Sequence, residues 1–386
     1  MQRGTAPGRG GAGAAPENRN AGSGTLSGVP QLEVEYLNPP EPLPDELEGT
    51  KLRRRALQVA ALLVVIGLVV SLAPGLGELR ERLGDAEPAW LLLAVGLELL
   101  SCLSYVLMFK PVFCPRMSWR TSYELGMSEL AVGSIVPASG AGGLALGAWA
   151  LRKSGMPGEE IARRSVAFFV LKSAVNFVAV VVVGVVMWAG VGPHRSVWLT
   201  LVPAVLAAAA IAAVALVPVW GARFSAADER PAHGWRRWAR LAAVALTDGV
   251  REAGRILRRR DWRVIAGSVG YWAFDNAVLW ACLHAFGEPP PLTLVLMGYL
   301  IGQLGGLLPL PGGVGGIDGG LIGTLIVFGL PATTTVAAVL AYRVILFWLP
   351  LILGGIAFVF LRRGLDDPSR PDICDPLRHA RRPARA

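Results

Sequence analysis

The chain is poor in the residues that most enzymes need. Only 17% of its 386 residues are charged, against roughly 25% in an ordinary soluble domain, which argues against a cytosolic enzyme of this size. Its four cysteines (Cys102, Cys114, Cys282 and Cys374) form no CxxC pair, and two lie inside apolar runs. Neither a disulfide nor a metal site is expected. The four histidines (His194, His233, His284 and His379) are scattered, without a His-Glu-x-x-His spacing. There is no phosphate-binding P-loop and no Gly-x-Ser-x-Gly elbow. These absences argue against a zinc enzyme, a P-loop NTPase and a hydrolase. No catalytic constellation and no cofactor are expected.

What the chain has is apolar length and arginine. Apolar residues make up 53% of it, and its mean hydropathy is +0.49. The net charge is 37 − 28 = +9, and all but four of the 37 cations are Arg. In a membrane protein such an excess marks cytoplasmic loops before it marks nucleic-acid binding. Residues 1–50 are rich in Gly, Ala, Pro and Asn, then acidic, and read as a disordered cytoplasmic tail. The first apolar run follows Lys51-Leu-Arg-Arg-Arg55, too late for a signal peptide.

About 20 apolar residues are needed to cross a bilayer. Full spans are expected at 56–74, 89–109, 165–190, 197–220, 263–285 and 333–361. Two further segments, 121–136 and 292–308, each run into a Pro/Gly break and then a short apolar limb, 143–152 or 317–328. Such limbs reach only about 15–18 Å, so each pair reads as a hairpin that enters the membrane and returns. Backbone broken at that depth must be buried in protein or line a cavity. The fold class expected is thus an all-α polytopic membrane protein, with about six full spans and two broken hairpins. The parts are repeat 1 over 51–220 (hairpin 121–153), a basic loop over 221–262, the rest of repeat 2 over 263–363 (hairpin 292–328), and a basic tail over 364–386. The distribution of Lys and Arg puts both termini inside and loops 75–88, 286–291 and 329–332 outside. Residues 235–260 alternate cations with Trp, Leu, Val and Ala, as either an interfacial amphipathic helix or a topology-setting loop would.

The two hairpins are related. Pro137-Ala-Ser-Gly-Ala-Gly-Gly143 resembles Pro309-Leu-Pro-Gly-Gly-Val-Gly-Gly316. Each is followed by an apolar limb, by Gly-Met-Pro157 or Gly-Leu-Pro331, and by a long helix with one intramembrane cation, Lys172 or Arg343. The offset is about 172 residues. Three passes separate the hairpins, so the halves point opposite ways. This is an inverted repeat of the kind whose sites lie near the membrane midplane.

A charge at mid-membrane is functional by default, because leaving it unpaired there costs several kcal/mol. Lys172 and Arg343 are the leading candidates for binding an anion. The alternative is that each only balances a carboxylate, from among Glu98, Glu124, Glu129, Asp275 and Asp318. The breaks, at Pro311 and its counterpart, add exposed backbone N–H groups at Gly140, Gly142, Gly143, Gly312, Gly313 and Gly315, with Asp318 behind them. The pairs Gly143/Gly147, Gly298/Gly302, Gly316/Gly320 and Gly319/Gly323 equally permit close helix packing. Glu124, Glu129, Asp275, Asn276 and Gln303 sit where they could line a polar path.

Laid out this way, the chain resembles the lysylphosphatidylglycerol synthase transmembrane-region family over roughly 55–363. The most specific stretch is Pro311-Gly-Gly-Val-Gly-Gly-Ile-Asp318, which is similar to the family's PGGxGxxE pattern with Asp in place of Glu. Ala341-Tyr-Arg343 is similar to its later membrane Arg. In the first half Gly143 and Leu146 stand where many members carry Glu and Arg, and Lys172 stands where Arg is usual. The resemblance implies a flippase-like translocating half without the family's synthase domain. On this reading the chain is a lipid translocase of a bacterial inner membrane whose partners are membrane lipids, chiefly anionic phospholipid. A secondary transporter of a small soluble anion and a non-transporting scaffold for envelope-lipid enzymes are the alternatives.

Overall fold

The computed structural model describes residues 53–54, 57–58, 81, 83–135, 141–191, 196–225, 235–287, 290–303, 316–366 and 374. The tail 1–50, nearly all of the expected span 56–74, and Gly140, Pro311, Gly312, Gly313 and Gly315 lie outside the described residues.

Among the described residues the regular structure is helical. In chain order the helices are α1 (Pro88–Phe113), α2 (Trp119–Ile135), α3 (Ala141–Lys153), α4 (Gly158–Trp188), α5 (Val197–Ser225), α6 (Trp235–Arg258), α7 (Trp262–Ala285), α8 (Leu292–Gly302), α9 (Gly316–Val327) and α10 (Ala332–Asp366). Four of them, α1, α4, α5 and α10, are long and apolar enough to cross a membrane. Their outward faces carry large apolar side chains such as Phe177, Val182, Trp198, Leu206, Ile352 and Phe360. A surface of that kind calls for lipid rather than water.

Helix α7 has 24 residues, about 36 Å at 1.5 Å per residue. It is long enough to cross but less apolar than those four, because Ser268, Asp275, Asn276 and His284 interrupt it. Asp261 caps its start by accepting the Arg263 N–H at 3.0 Å. The same carboxylate takes two hydrogen bonds from the Arg263 guanidinium, and these hold Asp261 below the usual carboxylate range.

Helices α2, α3, α8 and α9 have 17, 13, 11 and 12 residues. At about 17–26 Å each, none spans a hydrocarbon core of about 30 Å. They pack in pairs, α2 on α3 and α8 on α9. Several of the small residues sit at these contacts. A side-chain carbon on Gly298 would fall 2.6 Å from Leu325, and one on Gly302 would fall 2.9 Å from Leu321. Gly319 and Gly323 face open space instead.

The centre of the bundle is the antiparallel pair α1–α7, the most extensive helix contact in the protein. The Glu87 N–H donates to the Ala285 carbonyl at 2.9 Å, Ser101 Oγ donates to the Tyr271 carbonyl at 3.3 Å, and Ser268 Oγ meets Met108 Sδ at 2.8 Å. Gly267 lets the backbones approach, since a side-chain carbon there would stand 2.7 Å from the Met108 nitrogen. Around this pair, α1 touches α2, α4 and α10, and α7 touches α8, α10 and α4. In turn α2 lies on α10, α8 on α4, α3 on α4 and α9 on α10.

Some boundaries differ from the sequence expectation. Helix α4 begins at Gly158 rather than near 165, because Glu159 and Glu160 suit the first turn of a helix. The basic stretch 235–260 supplies α6, which buries Thr247, Gly249, Val250, Ala253 and Ile256 and packs against α4. Gly249 rests on Val166, while Leu241, Val244 and Leu246 face outward.

The expectation of no disulfide is corrected: Cys114 is joined to Cys374, their Cα atoms 5.3 Å apart. The two residues are 260 positions apart, and no spacing motif links them. They meet because Cys374 packs into the cluster that holds Met117, Leu151, Leu361 and Leu365. Cys102 and Cys282 are free and buried.

Candidate functional site

The first intramembrane cation, Lys172, sits near the middle of α4 and is half-buried. Its Nζ lies 5.8 Å from the ring centroid of Tyr105 on α1 and 5.8 Å from that of Tyr271 on α7, within cation–π reach. Its electrostatic partner is Glu129 of α2, which is only 4% exposed. Tyr105 also borders this carboxylate electrostatically. Helix α3 makes the room for Glu129. Gly143 and Gly147 are one turn apart, and a side-chain carbon at Gly147 would stand 3.1 Å from Glu129 Oε2. One at Gly143 would overlap the Glu129 carbonyl. The carboxylate therefore lies over Gly147, with the Glu129 backbone and Cγ over Gly143, and its Oε2 is left without a hydrogen-bond partner. One turn beyond Lys172, the Asn176 Oδ1 is also buried and unpartnered.

The second cation, Arg343 of α10, donates Nε–H to Asp318 Oδ1 at 2.6 Å. Asp318 stands in the first turn of α9. The two side chains are 14% and 18% exposed. Arg343 Nη2 is buried and has no hydrogen-bond partner. Beside it, the Tyr342 hydroxyl donates to Asp275 Oδ1 at 3.0 Å, and the Tyr299 hydroxyl of α8 donates to Oδ2. Gln303 lies just past the end of α8, beside Tyr299. Asp275 also feels the charge of Arg343.

Helix α7 joins the two sites. Tyr271 borders Lys172, and Asp275, one turn later, borders Arg343. Glu129, Lys172, Tyr271, Asp275, Arg343 and Asp318 thus form one polar belt across an otherwise apolar bundle.

Two expected residues stand apart. Glu124 bonds Arg120 at 2.9 Å near the start of α2. The Asn276 amide donates to the Trp272 carbonyl of its own helix. Gly142 is buried in the first turn of α3. The sequence reading missed the tyrosines. Of six in the chain, Tyr105, Tyr271, Tyr299 and Tyr342 all gather here. The signal was available, since all four fall within helices, where a phenol hydroxyl needs a polar partner.

With this geometry in place, comparison with known proteins is informative. Residues 58–354 match the family described as the lysylphosphatidylglycerol synthase TM region. The chain belongs to this family. It is similar to a UPF0104 membrane protein of Methanothermobacter thermautotrophicus, 25% identical over 331 residues, which are 78% of this chain and 95% of the relative. Another alignment with a UPF0104 membrane protein of that organism is 36% identical over 94 residues, covering 24% of this chain and 27% of the relative. A UPF0104 membrane protein of Methanocaldococcus jannaschii is 31% identical over 112 residues, covering 28% and 33%. The two shorter matches thus span about a quarter to a third of those relatives' length. The protein is an integral membrane protein of this family.

Proposed function

We propose that this protein is a lipid translocase that carries a phosphate-bearing lipid between membrane leaflets, with Lys172 and Arg343 as its headgroup cations. The observation that carries the reading is Arg343 itself. It gives Nε–H to Asp318 and keeps a buried, unpartnered Nη2. A guanidinium offers five N–H donors in a fork that fits phosphate, so a lipid phosphate can take the free donor first and displace Asp318 afterwards. Glu129 and Asp318 hold the cation sites balanced while no headgroup is present, which lowers the cost of charge at mid-membrane.

The packing supports two inverted halves. Under the offset of about 172 residues, α1 corresponds to α7, α2 to α8, α3 to α9 and α4 to α10. Contacts then occur in matching sets: α2–α10 with α8–α4, α3–α4 with α9–α10, α1–α4 with α7–α10, and α1–α2 with α7–α8. The pair α1–α7 corresponds to itself. With three passes between the hairpins, this arrangement suits alternating access around a fixed central site. The basic segments 51–55, 221–263 and 362–386 favour a cytoplasmic location for both termini.

The test is reconstitution into liposomes with quenchable lipids of two kinds, a phosphatidylglycerol and a phosphate-free glycosyl diacylglycerol. Protein-dependent exchange of the phosphatidylglycerol alone is expected. Equal exchange of both lipids, or flux of a soluble anion without lipid exchange, would refute the headgroup role.

A further inference from the structure

We propose that Glu98 and Asp275 form a proton-binding carboxyl pair in the middle of the α1–α7 interface, beside the headgroup cations. The assignment begins with the register of α1 against α7. Glu87 meets Ala285, Trp90 stacks on His284 with centroids 4.3 Å apart, Ser101 meets Tyr271, and Met108 meets Ser268. Each step forward along α1 is a step back along α7, and that register places Glu98 opposite Asp275. Both stand well inside their helices, and they are 4% and 8% exposed. Asp275 in turn adds to the electrostatic load on Glu98.

The two carboxyls have unequal company. Asp275 receives hydroxyl donors from Tyr342 on α10 and Tyr299 on α8, and it feels Arg343 on α10. From α4, Lys172 Nζ lies 5.8 Å from the centroid of the Tyr271 ring, and Tyr271 is one turn from Asp275 on α7. Among the described residues Glu98 has only the Cys102 thiol of its own helix as a hydrogen-bond partner, 3.5 Å from Oε1, and its Oε2 has none. Among the described residues no Lys or Arg forms an ion pair with Glu98. Neighbouring buried carboxylates raise the cost of each other's charge, and an uncompensated buried charge is strongly destabilising. The environment assigns the negative charge to Asp275 and the proton to Glu98, with the proton belonging to the pair as a unit.

The site does not depend on translocation, so it is tested on the purified full chain. Infrared spectra in H2O and D2O report carbonyl bands of protonated carboxyls that shift on exchange. Glu98→Gln is expected to remove one such band, and Asp275→Asn to move it by changing the partner across the helix interface. Because Gln resembles a protonated Glu, Glu98→Gln should stay monodisperse with its melting temperature kept, whereas Glu98→Asp, which is shorter, should retain a protonated band at an altered position. An unchanged spectrum in Glu98→Gln would overturn the proposal. So would loss of folded Glu98→Gln alongside a fully folded Glu98→Asp, since both results mean that Glu98 serves as an anion.

Discussion

The two halves of the bundle solve the same electrostatic problem with different parts. In the first half a lysine is balanced by a carboxylate from α2, and that carboxylate lies over Gly147 of α3. In the second half an arginine is balanced by Asp318, which the second limb itself supplies. Under the proposed offset of about 172 residues, Asp318 corresponds to Leu146, which is fully buried. On both sides a cation stands on a long helix next to a pair of short ones, while the counter-charge comes from the first short helix, α2, in one and from the second, α9, in the other. What is held in common is charge balance at mid-membrane rather than the position of the acid. The halves also differ in reserve. The ammonium of Lys172 is enclosed by Glu129 and two aromatic rings, whereas Arg343 retains a donor with no partner.

The largest expected effect separates the two pairs by burial. Lys172→Ala removes the cation beside Glu129, which is buried, and Arg343→Ala removes the cation beside Asp318, which is partly exposed. Removing one partner of a buried pair costs about 3–5 kcal/mol. Lys172→Ala should fall in that range and Arg343→Ala below it, as read from detergent-solubilised melting. Adding Glu129→Gln or Asp318→Asn should restore most of the loss in each case. If Arg343→Ala proves the more damaging, the comparison of the two sites is wrong.

The next effect separates the hairpins by their glycines. Gly143→Ala drives a methyl into the Glu129 carbonyl and should destabilise by about 1–3 kcal/mol, the range of overpacking. On the matching limb Gly323→Ala meets nothing within 4 Å, and it should gain up to about 1 kcal/mol of helix propensity. Thermal unfolding of the two variants side by side checks both signs.

The smallest effect lies outside the membrane. Asp261→Ala removes the cap of α7 and should cost about 1 kcal/mol near neutral pH. The Arg263 hydrogen bonds hold the Asp261 carboxyl below its ordinary range. Its contribution is therefore present above that range and lost as pH falls through the lowered value. Wild type and variant should converge on acidification, and a gap that widens in acid would contradict this.

Much of this arrangement was legible in one dimension. Lys172 and Arg343 stand out because each interrupts an apolar run, and the Pro/Gly breaks stand out because helices cannot continue through them. The stretch Pro311 to Asp318 carried the family resemblance. The partners of the cations were not legible. Glu98, Glu124, Glu129, Asp275 and Asp318 were equal candidates, since the choice among them depends on how α2 meets α4 and how α9 meets α10. Helix–helix register leaves no periodic trace in a single strand of sequence. The same limit hid the tyrosines, whose hydroxyls act across helices, and the Cys114–Cys374 link, which joins the two ends of the described bundle.

The central claim is that the cations serve a lipid phosphate and not only the fold. The most direct measurement uses charge-neutral pair variants, Arg343→Gln with Asp318→Asn and Lys172→Gln with Glu129→Gln, in which no buried charge is left unpaired. Each should remain monodisperse and melt close to wild type, while protein-dependent phosphatidylglycerol exchange in proteoliposomes falls to the protein-free level. Exchange at the wild-type rate in both folded variants would mean that the two ion pairs only hold the bundle together.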